Sequence, residues 1–369
     1  MFDDLVPLAA NARFRGRIAA ALGALGDRGA VAQLLEQFDR ERNWQERSII
    51  ANALGRSGDS SAVVPLLDRF DRENDYLVRE SIAYALGALG DRDAVVPLLA
   101  RLEREESGSA RSYIVKALGA LGDRRAVAQL LVQFDWERNG QDRSTIANAL
   151  GLLGDRSAVV PLLDRFDREN DNSVLQSIAY ALGKLRDRSA VMPLLVRLQR
   201  EPNRDMGWGI IEALGALGDR SAVVPLLARL EREENDLKRD KIAWALGTLG
   251  DRRSVDPLIS CLERQGERQT RGTIAEALGA LGDRSALAPL LRSLDHLNHI
   301  LHCGYDYDTQ EVRQIIAAIA ALGDRHSIIP LLSRLACEKD WGTRRYLSVV
   351  VWKFSQAQSA FIPPIKLAT

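Results

Sequence analysis

Reactive side-chain types concentrate in one stretch of the chain. Asp295-His296-Leu297-Asn298-His299-Ile300-Leu301-His302-Cys303 holds three of the four His and one of the three Cys, and Asp306 and Asp308 follow. On a helix, His at i and i+3, and the His299/Cys303 pair at i and i+4, share a face from which imidazole and thiolate can ligate one Zn²⁺. No paired Cys-x-x-Cys half-site accompanies them, and the spacing matches no zinc motif. An extended segment with solvated or hydrogen-bonded His is therefore the stronger expectation. His296, His299, His302 and Cys303 stand as weak metal candidates, and no cofactor is expected. A Ser–His–Asp set would need a His elsewhere, and only His326 remains. It follows a recurring Asp by two residues, where other copies carry Ser, Arg or Asp, so it reads as a variable cap position.

Composition narrows the partners. The 369 residues carry 50 Lys plus Arg against 50 Asp plus Glu, a formal net charge of zero. A general nucleic-acid or anionic-membrane binder needs a positive surplus to replace counterions, so both classes are disfavoured. No run of about 18 apolar residues exists to span a bilayer. Three Cys are too few for a disulfide scaffold, and Met1-Phe2-Asp3-Asp4 opens no basic leader. A reducing, cytoplasmic location is the expectation.

The elements that must position any site come from a repeat. Ala-Leu-Gly-x-Leu-Gly-Asp-Arg recurs with its Asp at 27, 59, 91, 123, 155, 187, 219, 251 and 283, a spacing of 32; a tenth Asp, Asp324, comes 41 residues later. Nine residues before every repeat Asp stands Ile (Ile18, Ile50, Ile82 and onward to Ile315), and Leu follows four later in nine of the ten units. That spacing is one stripe of an amphipathic helix. A second stripe follows the Asp, as in Val223, Leu226, Leu227 and Leu230. Neither helix can stand alone, so neighbours must stack. Gly-Asp between them, with Arg186 in place of Gly once, predicts a left-handed cap followed by a helix-capping Asp. Gly four residues before the Asp predicts close helix approach. Pro six residues after it, in eight units, predicts a loosened opening to the second helix.

These residues resemble HEAT-like repeats of the phycobilin-lyase type over about residues 14–354. The resemblance implies an all-α, right-handed α-solenoid of about ten 32-residue helical hairpins. The expected layout is a single solenoid over 1–354, with an N-terminal cap at 1–26, an insertion at 295–311, a closing helix at 341–354 and an irregular tail at 355–369. Metal enzymes of this architecture, such as deoxyhypusine hydroxylase, use His-Glu pairs; this chain has no His-Glu dipeptide, so that activity is not carried over. Phycobilin lyase subunits, some of which pair to attach a bilin to a partner's Cys, supply the alternative of a lyase-like or chaperone-like modification subunit. A metal-dependent activity at the His-rich insertion is a second alternative.

A longer period overlies the repeat. Ser61 to Asp75 reappears letter for letter at Ser157 to Asp171, 96 residues on, so three units have been duplicated together. Recombination within a repetitive gene accounts for this; two similar sub-sites on one surface is the functional alternative.

On the second helix, Arg recurs ten residues after the Asp at Arg69, Arg101, Arg165, Arg197, Arg229 and Arg334, followed by steps such as Asp71-Arg72 and Glu231-Arg232. In the family this resembles, that helix is taken to face the concave side. Inter-repeat ion pairs explain most rungs, each worth about 0–1 kcal/mol. Breaks in the ladder are better partner candidates: Trp136 and Cys261 replace Arg, and Trp44 and Trp208 stand in inter-unit turns. Large aromatics at polar positions anchor interfaces. The sequence therefore reads as a non-enzymatic interaction scaffold for a protein or peptide on its concave face, with Trp44, Arg69, Arg101, Trp136, Arg165, Arg197, Trp208, Arg229 and Cys261 as candidate contacts.

Overall fold

The computed structural model describes residues 31–200, 207–264, 268–302 and 309–323, with 331–332, 335–336, 344–345, 347–348 and 351. Among these residues the chain is an α-solenoid of alternating short and long helices, without a strand. It divides into two units between Ala190 and Val191. The first unit runs through α1 (Val31–Arg40), α2 (Trp44–Arg56), α3 (Val63–Arg72), α4 (Tyr76–Leu89), α5 (Val95–Arg104), α6 (Gly108–Leu121), α7 (Val127–Trp136), α8 (Gly140–Leu153), α9 (Val159–Arg168) and α10 (Asn172–Leu185). The second runs through α11 (Val191–Arg200), α12 (Gly207–Leu217), α13 (Val223–Arg232), α14 (Asp236–Leu249), α15 (Val255–Glu263), α16 (Arg268–Leu281), α17 (Leu287–His302) and α18 (Thr309–Leu322).

Local chemistry sets the ends. Asp75 accepts hydrogen bonds from the Leu77 and Val78 N–H groups at the start of α4, and Asn43, Asn139, Asp171 and Asn235 do the same for other long helices. Long helices close on a left-handed residue, as at Gly90 (φ 67°) and Gly154 (φ 66°). The following Asp caps something other than the short helix itself. Asp91 accepts from the Asp93 N–H at 2.9 Å and closes a single 3-10 turn, Arg92–Ala94, from which α5 starts. The expected loosening around Pro is this 3-10 turn; Pro97 then lies third in α5, where a first-turn N–H has no intrahelical acceptor to lose.

Ile82 and Leu86 of α4 are fully buried, as are Leu66 of α3 and Leu98 of α5. Each such side chain contributes about 1.5–3 kcal/mol by leaving water. Long helices of successive repeats pack along their whole length, whereas short helices of successive repeats meet little. The recurring Gly makes this possible: a Cβ on Gly55 would lie 2.7 Å from the Cα of Ala85, and one on Gly151 2.7 Å from the Cα of Ala181. Within each unit the long helices thus form the more closely spaced layer, which is the inner layer of any curve the stack takes. This corrects the placement of the short helix on the concave side; small residues at the long-helix contact are the physical reason.

The insertion begins by prolonging a short helix: α17 has 16 residues where α5 has 10. His296, His299 and His302 fall on its backbone, while Cys303 and His326 lie outside the described residues. The expected N-terminal cap and C-terminal tail also lie outside them. Within 341–354, residues 344–345, 347–348 and 351 are helical.

Candidate interaction face

The Arg ladder of the short helices is committed to the fold. Arg101 donates through Nε and Nη2 to both carboxylate oxygens of Asp71 in the preceding repeat, each at 2.7 Å, and through Nη1 to the Pro97 carbonyl at 3.1 Å. Arg69 grips Asp39 in the same way, with Nε to Oδ1 at 2.9 Å. Arg229 instead pairs with Glu233 at 2.9 Å, and Arg165 with Glu169 at 3.5 Å while covering the Phe134 ring at 5.7 Å. Arg197 also lies on a short helix, α11, and is likewise engaged. An Arg held by a bidentate carboxylate and a carbonyl has few donors left for a partner.

A second ladder, not anticipated from the sequence, lies deeper. Arg47 pairs with Glu73 at 2.6 Å, Arg111 with Glu137 at 3.4 Å and Arg143 with Glu169 at 3.0 Å. The Arg stands near the start of a long helix and the Glu at the end of the short helix of the same hairpin. Glu73 also accepts from the Asp75 N–H at 2.9 Å, tying its hairpin to the next long helix. Beyond the insertion, Glu311 at the start of α18 takes this place and pairs with Arg271 at 2.9 Å. Burial pushes the Glu169 carboxyl up, but N–H donors from Asp171 and Asn170 and the Arg143 guanidinium outweigh it, so it sits below the usual carboxylate range. The signal was present: Arg twelve residues before the repeat Asp and Glu fourteen after it recur along the chain.

The candidate aromatics separate. Trp136 ends α7 and is 77% exposed. Cys261 is half-buried on α15, and burial pushes its thiol up, which disfavours a reactive thiolate. Trp44 belongs to a constellation. With Tyr84 and Tyr113 it walls a shallow groove of about 730 Å³ across the exposed faces of α2, α4 and α6. Ala83, Gly87, Ala117 and Ala120 floor it, and Arg56, Glu80 and Lys116 rim it. The Lys116 ammonium lies 5.4 Å from the Tyr113 ring centroid and 3.6 Å from Glu80. Burial, with help from Glu80, pushes the Tyr113 phenol up.

In the second unit, Trp208 on α12 and Trp244 on α14 are each 41% exposed. Trp244 lies against Gly215, where a Cβ would come 2.9 Å from its Cζ3. Tyr84, Tyr180 and Trp244 share one register, seven residues before the repeat Asp, where Asn52, Lys116, Asn148, Glu212 and Glu276 stand in other units. Positions nine, six, five and four residues before the Asp hold Ile, Ala, Leu and Gly almost without change, while this register varies, as do those ten and three residues before the Asp. Large aromatics at a variable, exposed register were therefore the overlooked sequence signal. The 96-residue duplication does not copy the groove: Asn148 and Tyr180 repeat Asn52 and Tyr84, but Gly140 stands for Trp44 and Leu152 for Arg56. Among the described residues no group of three or more His, Cys, Asp or Glu is arranged to hold a metal ion. No helix of the described residues is long and apolar enough to cross a membrane.

A family model for HEAT repeats matches residues 3–87, 72–151, 95–183, 159–240 and 223–301, spanning most of the chain. The chain belongs to the HEAT-repeat family. Each repeat contributes one hairpin, with its exposed register on the long helix. No curated protein matches the sequence. Among solved structures, the HEAT-repeat fold is shared with a chain from the work describing how Kap95p binding switches the loops of RanGDP, at 12% identity, 89% of this chain, 52% of that chain and a TM-score of 0.58. The complex of CpcE and CpcF of phycocyanin lyase from Nostoc sp. PCC7120 matches at 23% identity, 62% of this chain, 94% of that chain and a TM-score of 0.41. Human deoxyhypusine hydroxylase matches at 22% identity, 82% and 99% coverage and a TM-score of 0.33.

Proposed function

We propose that this HEAT-repeat chain is a non-enzymatic scaffold that holds a protein or peptide partner on the exposed face of its long helices. The observation that carries this reading is a variable, exposed register on the long helices that three repeats fill with large aromatics. Buried and contact positions are nearly fixed from repeat to repeat, while Tyr84, Tyr180 and Trp244 expose 62%, 44% and 41% of their surface at one of the positions left free. Interfaces are enriched in exposed aromatics of this kind. The Arg ladder, by contrast, serves repeat-to-repeat pairing, and its rungs drop from the list of preferred contacts. Trp44 and Trp208 stay on it.

Affinity capture with the intact protein, read by mass spectrometry, tests the proposal when run beside Tyr84→Ala and Trp244→Ala. A specific protein retained by the parent and lost from the variants is expected. Retention that is indifferent to both substitutions, or no specific partner at all, defeats the reading.

A further inference from the structure

We propose that the groove across α2, α4 and α6 takes an extended peptide segment that carries a carboxylate beside apolar side chains. This rests on the scaffold reading and gives it a partner chemistry. Four observations converge on it.

Small residues floor the groove and leave depth between Trp44, Tyr84 and Tyr113, so apolar side chains can lie against three aromatic faces. The Asn52 amide makes no hydrogen bond among the described residues. It offers both a donor and an acceptor, the pair that an extended main chain can satisfy and a helix, with its backbone already paired, cannot.

Spacing agrees with an extended chain. Helices in contact lie about 8–10 Å apart. A polyproline-type chain rises about 3.1 Å per residue with three residues per turn, so every third side chain returns to the same face after about 9 Å. One apolar side chain can therefore meet each long helix in turn.

Charge selects the acid. Arg56 is exposed and makes no ion pair among the described residues, while Lys116 is only loosely met by Glu80 at 3.6 Å. Two cations against one anion on the rim complement a carboxylate and oppose a cationic peptide. The site needs no net charge on the whole chain to do so.

The test uses the full chain and a fluorescein-labelled peptide of about twelve residues repeating Leu-Pro-Asp, followed by fluorescence anisotropy. Its counterpart repeats Leu-Pro-Lys. Saturable binding of the Asp peptide is expected, weakened about tenfold or more by Tyr84→Ala and by Arg56→Glu. The Arg56→Glu variant should in turn favour the Lys peptide. All these side chains are exposed or half-exposed, and circular dichroism confirms that the variants remain folded. No saturable binding, equal binding of both peptides, or indifference to Tyr84→Ala overturns the inference. If the peptide fails while the captured partner still depends on Tyr84 and Trp244, this inference falls and the scaffold reading stands.

Discussion

Arg186 occupies a backbone position that nine of ten repeats give to Gly, and it does so at φ 52°. An L-residue in the left-handed region is crowded between Cβ and the carbonyl oxygen, at a cost of about 1–2 kcal/mol. Arg186→Gly should relieve about 1 kcal/mol net of the greater backbone freedom of Gly when unfolded, and urea denaturation would show it as a raised midpoint. Ion pairs divide just as clearly by depth. The Arg143 and Glu169 side chains are 11% and 7% exposed, so Glu169→Ala strands a buried guanidinium and should cost about 3 kcal/mol. Arg72 and Asp68, at 77% and 50% exposure, form the contrasting case; Arg72→Ala should change stability by less than about 0.5 kcal/mol. Equal losses from the two variants would refute the distinction between the ladders.

At the level of the helix, Gly151 sets two preferences against each other. Ala is favoured over Gly inside a helix by about 1 kcal/mol. The added methyl would nevertheless press on the Ala181 backbone, 2.7 Å from its Cα, in a contact without a flexible end to give way. Overpacking of this kind costs about 1–3 kcal/mol, so Gly151→Ala should lower stability in a thermal melt, and a gain would show that the helices can separate. The same residues mark what could be read from the sequence. Period, hairpin and capping residues were all visible, because each rests on neighbours within a few positions. Close approach was visible as well, in the recurring Gly; its partner was not, because Gly151 meets Ala181 a whole repeat away and nothing local names that residue. The exposed register of Tyr84 was hidden for another reason. The repeated Arg is legible because it recurs, whereas a binding face in such an array is found where recurrence stops.

Over the whole molecule, repetition multiplies small electrostatic effects. Asp123 and Asp251 are lowered to about 2, chiefly by hydrogen bonds from the Arg125 and Arg253 side chains. Asp155 and Asp283 are lowered chiefly by backbone N–H donors, and Asp187 chiefly by the Ser189 hydroxyl. A carboxylate lowered on folding stabilises the native state above its unfolded value near 4, and that stabilisation fades as pH falls through the folded value. The melting temperature should accordingly hold from neutral pH to about pH 5 and then drop steeply between about pH 4 and pH 2. Circular dichroism melts across that range check it; a melting temperature flat to pH 2.5 would mean that the caps do not couple to folding. The zero net charge follows from the same repetition, since each unit brings its acids and bases together.

Glu73 joins the two sides of a repeat boundary: it binds Arg47 behind it and caps the turn into α4 ahead of it. Boundaries that keep this Arg–Glu pair are chemically alike, so a cut at one and a splice at another restores the same bond with different neighbours. Whole repeats can then be gained or lost by the gene without leaving a stranded charge at the seam. The number of repeats becomes an inherited variable that selection can adjust, and the 96-residue duplication is one such adjustment preserved in the chain.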